Sequence, residues 1–299
     1  MDLAYLRAHP EHLPTFLTHQ RIRETPVSGG SICAASRLTL DDGNSVFAKS
    51  WPERSARPLP DGLFAAEAAG LRWLAAAGGA PVPEVLVALP QLLALEWVEP
   101  GEADVAAAER FGRELAITHR AGAAGFGADW PGFVGALPQD NELVTDQPWS
   151  AWFGQRRLLP YLRMSVDNGA LTAAETGLVE QVVDNINING YGGDEPPARI
   201  HGDLWPGNLL WGADGRCRLV DPAAHGGHRE TDLAQLTLFG GAPYLDRILD
   251  AYQEQWPLAD GWAGRVPVHQ LHLLLVHTAL FGAAYRSAVA DAARAALRS

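Results

Sequence analysis

The run His201-Gly-Asp-Leu-Trp-Pro-Gly-Asn208 sets the tightest limit on what this chain folds into. It offers a carboxylate and an amide five residues apart, Asp203 and Asn208, with Gly202, Pro206 and Gly207 breaking the chain around them. Glycine and proline disfavour a helix here, whereas a tight loop aims both polar groups into one cleft. The same residue types make plain surface turns, so the octapeptide takes its meaning from the residues after it. Leu209-Leu-Trp211 reads as a short strand, Gly212-Ala-Asp-Gly215 as a hairpin turn and Cys217-Arg-Leu-Val-Asp221 as the returning strand. A hairpin brings its ends together, so Asn208 and Asp221 are expected side by side. Two oxygen ligands at one open edge suit Mg²⁺, which takes the rest of its shell from water and nucleotide phosphates. The plain alternative is that Asp221 only ends a strand before Pro222.

Kinase-type phosphotransferases use this spacing. An Asp of the catalytic loop accepts the proton of the substrate hydroxyl, an Asn five residues on holds Mg²⁺, and an Asp beyond the hairpin is the main metal ligand. The chain writes His201-Gly-Asp203 where protein kinases write His-Arg-Asp, a variant seen in kinases of small molecules, and Asp221-Pro-Ala223 where they write Asp-Phe-Gly. The amino-terminal third holds the complement. Ser45-Val-Phe-Ala-Lys49 alternates as a half-buried strand does and ends in a lysine able to reach phosphate oxygens. Leu63 to Leu74 has helical apolar spacing, with Phe64, Leu71 and Leu74 near one face. Glu67 stands among its alanines, where an unpaired buried charge is costly. A Lys49–Glu67 ion pair resolves both problems, and two solvated surface charges are the alternative. Between strand-like runs at 21–27 and 32–40, the loop Ser28, Gly29, Gly30 and Ser31 lets backbone N–H groups approach ATP phosphates, though alone it is equally a hairpin turn. Val85 to Leu95 reads as two buried strands broken at Pro90. Glu96-Trp-Val-Glu-Pro-Gly101 then stands where bilobal kinases have the connector whose main chain reads adenine, with Glu96 and Val98 as contact positions. The expected class is α+β: a bilobal protein-kinase-like fold with a small β-rich amino-terminal lobe carrying one key helix (1–98) and a larger, mostly helical carboxy-terminal lobe (99–299).

Further motifs are Ala35-Ser-Arg37, Phe64-Ala-Ala-Glu67-Ala-Ala-Gly-Leu71, Pro138-Gln-Asp-Asn141, Gly227-His-Arg-Glu-Thr-Asp-Leu-Ala234, Leu238-Phe-Gly-Gly241, Leu274-Leu-Val-His277 and Leu280-Phe-Gly282. With these the chain resembles the fructosamine kinase (ketosamine-3-kinase) family across residues 10–290. Asp203-Leu-Trp205 separates that family from aminoglycoside and choline kinases better than any other tripeptide present. The resemblance implies ATP and Mg²⁺ as cofactors, Asp203 as general base, Asn208 and Asp221 as metal ligands, and Lys49 as phosphate clamp with Glu67 as its partner. It further implies Trp205 as a wall of the sugar site, His277 in the substrate cleft, and Asp232 bracing the catalytic loop through its backbone. Trp205 as a plug beneath the loop is the alternative. His228 stands where many members carry Asp and receives no catalytic duty. Some members bridge two subunits through a cysteine of the glycine-rich loop. Ser31 holds that place here and Cys33 lies two residues on, which argues against redox control by this route. The implied reaction moves the γ-phosphoryl group of ATP to a sugar hydroxyl, at the third carbon, of a ketosamine such as fructosamine or ribulosamine, free or on glycated protein, in deglycation. An aminoglycoside- or choline-type phosphotransferase and a non-catalytic nucleotide-binding module are the rivals. Monomer and homodimer both stay open.

With 35 acidic against 23 basic residues and a formal net charge of −12, nucleic acid and anionic membrane are poor partners. Cys33 and Cys217 fall in separate lobes and give no disulfide framework. An early acid at Asp2, no apolar leader core and no uninterrupted apolar run long enough to cross a bilayer point to a cytoplasmic protein. Helices are expected at 105–119, 149–162, 171–188, 269–285 and 287–297, and the irregular 129–146 stretch reads as a binding loop. His269, His272 and His277 share part of a helical spacing. No carboxylate or cysteine set lies near them in sequence, so satisfied histidines on a packed helix are favoured over a metal site.

Overall fold

The alternation in residues 45–50 buries Val46 and Ala48 on one face and turns Phe47 and Lys49 to the other, and a sheet forms around that strand. The structure, a computed structural model, describes residues 1–19, 22–28, 32–52, 54–55, 57–189 and 195–298. Two short helices, α1 (Leu3–Ala8) and α2 (Leu13–Thr18), precede β1 (Arg23–Pro26), β2 (Ala34–Thr39) and β3 (Ser45–Ser50). Helix α3 (Leu63–Ala75) leads on to β4 (Val85–Leu89) and β5 (Leu92–Glu96). The strands form an antiparallel five-stranded sheet in the order β1-β2-β3-β5-β4. Period-two alternation gives each face its own core. Leu92 and Ala94 of β5 join Leu38, Val46 and Leu86 under the amino-terminal helices, while Leu93 and Leu95 meet Phe64, Ala68 and Leu71 of α3.

The carboxy-terminal part is helical. Asp104 caps α4 (Val105–Arg120) by accepting the Ala107 N–H at 2.7 Å. There follow a small hairpin of β6 (Gly132–Val134) and β7 (Leu137–Gln139), then α5 (Trp149–Phe153), α6 (Leu159–Asp167) and α7 (Ala173–Asn189). Strands β8 (Ala198–Ile200), β9 (Leu209–Trp211), β10 (Cys217–Leu219) and β11 (His225–Gly227) pair as β9 with β10 and β8 with β11. Four helices close the chain: α8 (Arg229–Gln235), α9 (Leu245–Gln255), α10 (Trp262–Phe281) and α11 (Arg286–Ala296). Gly112 lets α4 lie directly on α9, since a Cβ there would stand 2.2 Å from the Ile248 carbonyl oxygen. The mixed class, with an amino-terminal sheet and a helical remainder, is the one expected.

Several boundaries differ. The expected 149–162 helix is cut by one π-helical turn at Gly154–Leu158, and the binding-loop stretch contains the β6–β7 hairpin. Helix α10 begins at Trp262, earlier than expected, and runs through Pro267 in its second turn. The amphipathic α9 has no counterpart among the expected helices. By length and hydropathy one helical segment of the described residues, 262–296, suffices to cross a membrane. Its central residues Leu271, Leu273, Leu274, Leu275 and Val276 are buried in the main core, where α10 packs on α6, α8 and α11.

Candidate active site

The octapeptide forms a bent loop between β8 and β9, and its shape has identifiable causes. Gly202 adopts φ +81°, and a Cβ on it would meet the Ala223 carbonyl oxygen at 2.4 Å. His201 donates from Nε2 to the Val220 carbonyl (2.9 Å), which leaves Nδ1 to accept the Asp203 N–H at 3.2 Å. Helix α8 holds the loop from below. The buried Asp232 carboxylate accepts the N–H groups of His201 (2.7 Å) and Gly202 (2.9 Å). Gln235, one turn on, accepts from Leu204 N–H at 2.6 Å and donates to the Gly202 carbonyl. His119 of α4 backs Asp232 at 3.1 Å and meets the Tyr252 hydroxyl on its other nitrogen.

Hairpin β9–β10 brings Asn208 and Asp221 together by register: Leu209 pairs with Leu219, and the Val220 N–H reaches the Asn208 carbonyl at 3.2 Å. Asn208 Nδ2 donates to the Asp203 carbonyl (2.7 Å) and to its Oδ2 (3.2 Å), closing the loop on itself. The hairpin is docked on the connector, with Gly101 N–H on the Trp211 carbonyl and Ala213 N–H on the Glu99 carbonyl, each 2.8 Å. Asp221 has φ +55°, a left-handed backbone that bends the chain sharply away from β10.

Lys49 Nζ lies 2.8 Å from both Glu67 Oε2 and Asp221 Oδ1. Desolvation opposes charge on all three groups. Asp221 and Glu67 nevertheless hold the Lys49 ammonium above its ordinary pKa, and Lys49 holds the Asp221 carboxyl below its own. At Glu67 burial prevails and the carboxyl is pushed up to about 7. Asp203 is raised well above the usual carboxylate range, first by burial and next by the charge of Asp221. Its Oδ1 is buried without a hydrogen-bond partner among the described residues.

These groups open on one cavity of about 830 Å³. Lys49, Glu67, Asp203, Asn208 and Asp221 all line it, as do Ser28, Glu96 and Val98. Around the connector the lining is apolar, with Ala35, Phe47, Leu95, Leu210 and Val220. The Glu96 N–H is taken by the Glu84 carbonyl at 2.8 Å. Gly29, Gly30 and Ser31 lie outside the described residues. At the opposite end Trp205 lines the cavity and packs against the core, meeting Phe239 edge-on at 5.7 Å and His277 at 6.5 Å. His277 donates to the Leu273 carbonyl, and burial lowers its pKa. Cys33 lines the cavity too, with burial pushing its thiol up to about 11.

Sequence reasoning gave no role to Arg157, Asn141, Gln235 or Phe239. Only the motifs Pro138-Gln-Asp-Asn141 and Leu238-Phe-Gly-Gly241 hinted at two of them. One expectation needs correction. A carboxylate does reach His269, because α8 carries Glu230 to 3.4 Å from it, with His228 beside them. Both Glu230 oxygens are held by Arg265, at 2.8 and 2.5 Å, so the group is a neutralised ion pair. His272 is not satisfied either: neither ring nitrogen has a partner among the described residues, and burial keeps it neutral.

The oxygens of Asn208 and Asp221 are the hard donors that Mg²⁺ prefers, and the unpaired Asp203 Oδ1 beside them suits a proton acceptor. A sequence model of the family described as fructosamine kinase matches residues 11–299. A probable ketoamine kinase of Enterococcus faecium is 32% identical over 269 residues, covering 88% of this chain and 91% of the relative. The solved structure of a Thermobifida fusca protein assigned as a fructosamine-3-kinase superposes with a TM-score of 0.86 at 50% identity, covering 93% of this chain and 94% of the other. A choline/ethanolamine kinase family protein of Mesorhizobium loti shares the fold alone, with a TM-score of 0.62 at 16% identity over 99% of this chain and 95% of its own. Loop, hairpin, lysine and comparisons agree, and the chain belongs to the fructosamine kinase family of ATP-dependent phosphotransferases.

Proposed function

We propose that the protein transfers the γ-phosphoryl group of ATP to a hydroxyl, at the third carbon, of a ketosamine such as fructosamine or ribulosamine, and so serves deglycation of amines. The observation that carries this reading is the convergence of Asp203, Asn208, Asp221 and the Lys49–Glu67 pair on one cavity. Residues 1–98 then act as the nucleotide lobe and 99–299 as the catalytic and substrate lobe. Adenine lies in the apolar end beside the main chain of Glu96 and Val98. Lys49, aimed by Glu67, grips phosphate oxygens. Asn208 and Asp221 hold Mg²⁺, which supplies neutralisation of phosphate charge. Asp203 takes the proton of the attacking hydroxyl through its unpaired oxygen. Asp232 and Gln235 keep that oxygen aimed by fixing the backbone on either side. Trp205 and His277 border the sugar.

The test is ADP release from ATP and Mg²⁺ with a panel of ketosamines, aminoglycosides and choline. Turnover of ketosamines alone supports the reading. Preferential turnover of aminoglycosides or choline replaces it with the related phosphotransferase activity, and nucleotide binding without any turnover leaves a binding module.

A further inference from the structure

Asn141 carries two N–H donors that no described residue uses. It is buried (5% exposed), it lines the same cavity as Asp203, and its Nδ2 has no hydrogen-bond partner among the described residues. The orientation of the amide is fixed from behind. Its Oδ1 accepts from Arg157 Nη2 and from Gln139 Nε2, both at 3.1 Å. Arginine has only donors, so turning the amide over would set donor against donor in a dry site. Arg157 cannot swing away. It is fully buried, donates to the main-chain carbonyls of Asp140 (2.6 Å) and Arg156 (3.1 Å), and lies 4.3 Å over the ring of Trp152. Its Nε points at His225 Nε2 at 3.4 Å. That ring donates from Nδ1 to the Ala223 carbonyl at 2.7 Å, so Nε2 is the accepting nitrogen. Gly132 supplies the bare backbone against which the Asn141 amide rests, since a Cβ there would come within 2.6 Å of Nδ2.

An unpaired buried amide donor is costly, and here a fully buried arginine fixes the amide so that its donors stay unpaired. Two unpaired acceptors line the same cavity among the described residues, Asp203 Oδ1 and Glu67 Oε1. Glu67 is engaged with Lys49 through its other oxygen. The Asp203 acceptor and the Asn141 donor suit a ligand with at least two oxygens: a hydroxyl that gives its proton to Asp203, and a second oxygen that receives one from Asn141. We infer that Asn141 is a specificity-determining residue that donates a hydrogen bond to a second oxygen of the sugar, with Arg157 and Gln139 as the positioning residues that aim it. The inference rests on the ketosamine reading above and adds to it a requirement: the acceptor sugar must carry an oxygen besides the one phosphorylated.

The experiment uses the full chain, ATP, Mg²⁺, the best ketosamine of the panel and its single-deoxy analogues, each lacking one oxygen other than the target hydroxyl. In the wild type one analogue is discriminated against by about ten- to a hundredfold in kcat/KM. In Asn141→Ala, kcat/KM for the full substrate falls by a similar factor, discrimination against that analogue disappears, and KM for ATP stays that of the wild type. Asn141→Asp is the second variant: it keeps an acceptor for Arg157, so it retains the fold if the alanine does not, and it loses the same discrimination. Unchanged kcat/KM, an equal loss on every analogue with discrimination preserved, or a loss confined to ATP KM each overturns the assignment. A wild type that turns over no ketosamine instead overturns the functional reading itself.

Discussion

Replacing Asp232 by asparagine isolates the support beneath the catalytic loop, because shape is kept and only acceptor capacity changes. The carboxylate is fully buried and spends one oxygen on Gly202 N–H at 2.9 Å and the other on His201 N–H and His119, at 2.7 and 3.1 Å. Asparagine has a single acceptor oxygen, so its amide nitrogen must face one backbone N–H that then has no partner. Losing a charge-assisted bond and stranding a buried donor costs about 3 kcal/mol. For a chain of this length that is a fall in Tm of about 5 °C. The second effect is on aim. Gly202 is bonded to Asp203, and displacement of a reacting group by about 1 Å costs about a hundredfold in rate. Turnover should therefore drop by that order while KM for ATP is little changed, since Lys49, Glu67 and the connector are carried by other elements. Differential scanning fluorimetry and a coupled ADP assay on the same preparation read both. A variant that melts with the wild type and turns over at its rate would show that the loop holds its shape without Asp232, and the bracing role would be withdrawn.

Asp203→Asn should cut kcat by at least about a hundredfold with ATP binding retained, because a general base acts in the transition state; near-normal turnover removes Asp203 from that role. Asp221→Ala should abolish Mg²⁺-dependent nucleotide binding in calorimetry, and unchanged binding means the metal is held elsewhere. Glu230 gives the pH prediction. Burial alone would raise its carboxyl, but the bonds from Arg265 and His269 and the nearby His228 hold it well below the usual range. A folded pKa below the unfolded value of about 4.3 means stability that is present above that pH and lost as pH falls beneath it. Glu230→Gln should thus melt well below the wild type at pH 7, by about 3–5 kcal/mol for a broken buried pair, and the gap should narrow as the pH is taken below about 4. Parallel melting curves across that range would refute the linkage.

Much of the fold was legible because its elements follow local rules. The β9–β10 hairpin is written in its turn residues, β3 and β5 in their alternation, and α3 in the spacing of Phe64, Leu71 and Leu74. The Lys49–Glu67 contact was legible from the cost of leaving Glu67 unpaired on a buried face. Asn141 and Arg157 were not, because neither breaks a local rule. Arg157 lies in what reads as an ordinary helix, and only tertiary packing shows that its guanidinium is buried and meets carbonyl and amide oxygens. Likewise His269 and Glu230 are far apart in sequence and meet only because α8 crosses α10. The second contact of Lys49, with Asp221, also needed the fold: it joins residues from the sheet and from the far side of the loop at 201–208.

That contact explains why the two halves of the site behave as one object. Asp221 adopts a left-handed backbone, a cost of about 1–2 kcal/mol for a residue other than glycine, and the turn it makes sends Pro222–Ala224 beneath α3. Helix α3 accepts them through Gly70, where a Cβ would stand 3.1 Å from the Ala224 Cβ and 3.6 Å from Pro222 Cγ. One turn earlier on α3 is Glu67, whose carboxylate shares the Lys49 ammonium with Asp221. Side-chain charge and backbone packing therefore fix the same relation twice, between α3 and the chain leaving β10. A helix displaced enough to part Glu67 from Lys49 would also leave its seat on Ala224. The strain at Asp221 is sustained by that double attachment, and the carboxylate remains at the cavity edge, 2.8 Å from the lysine.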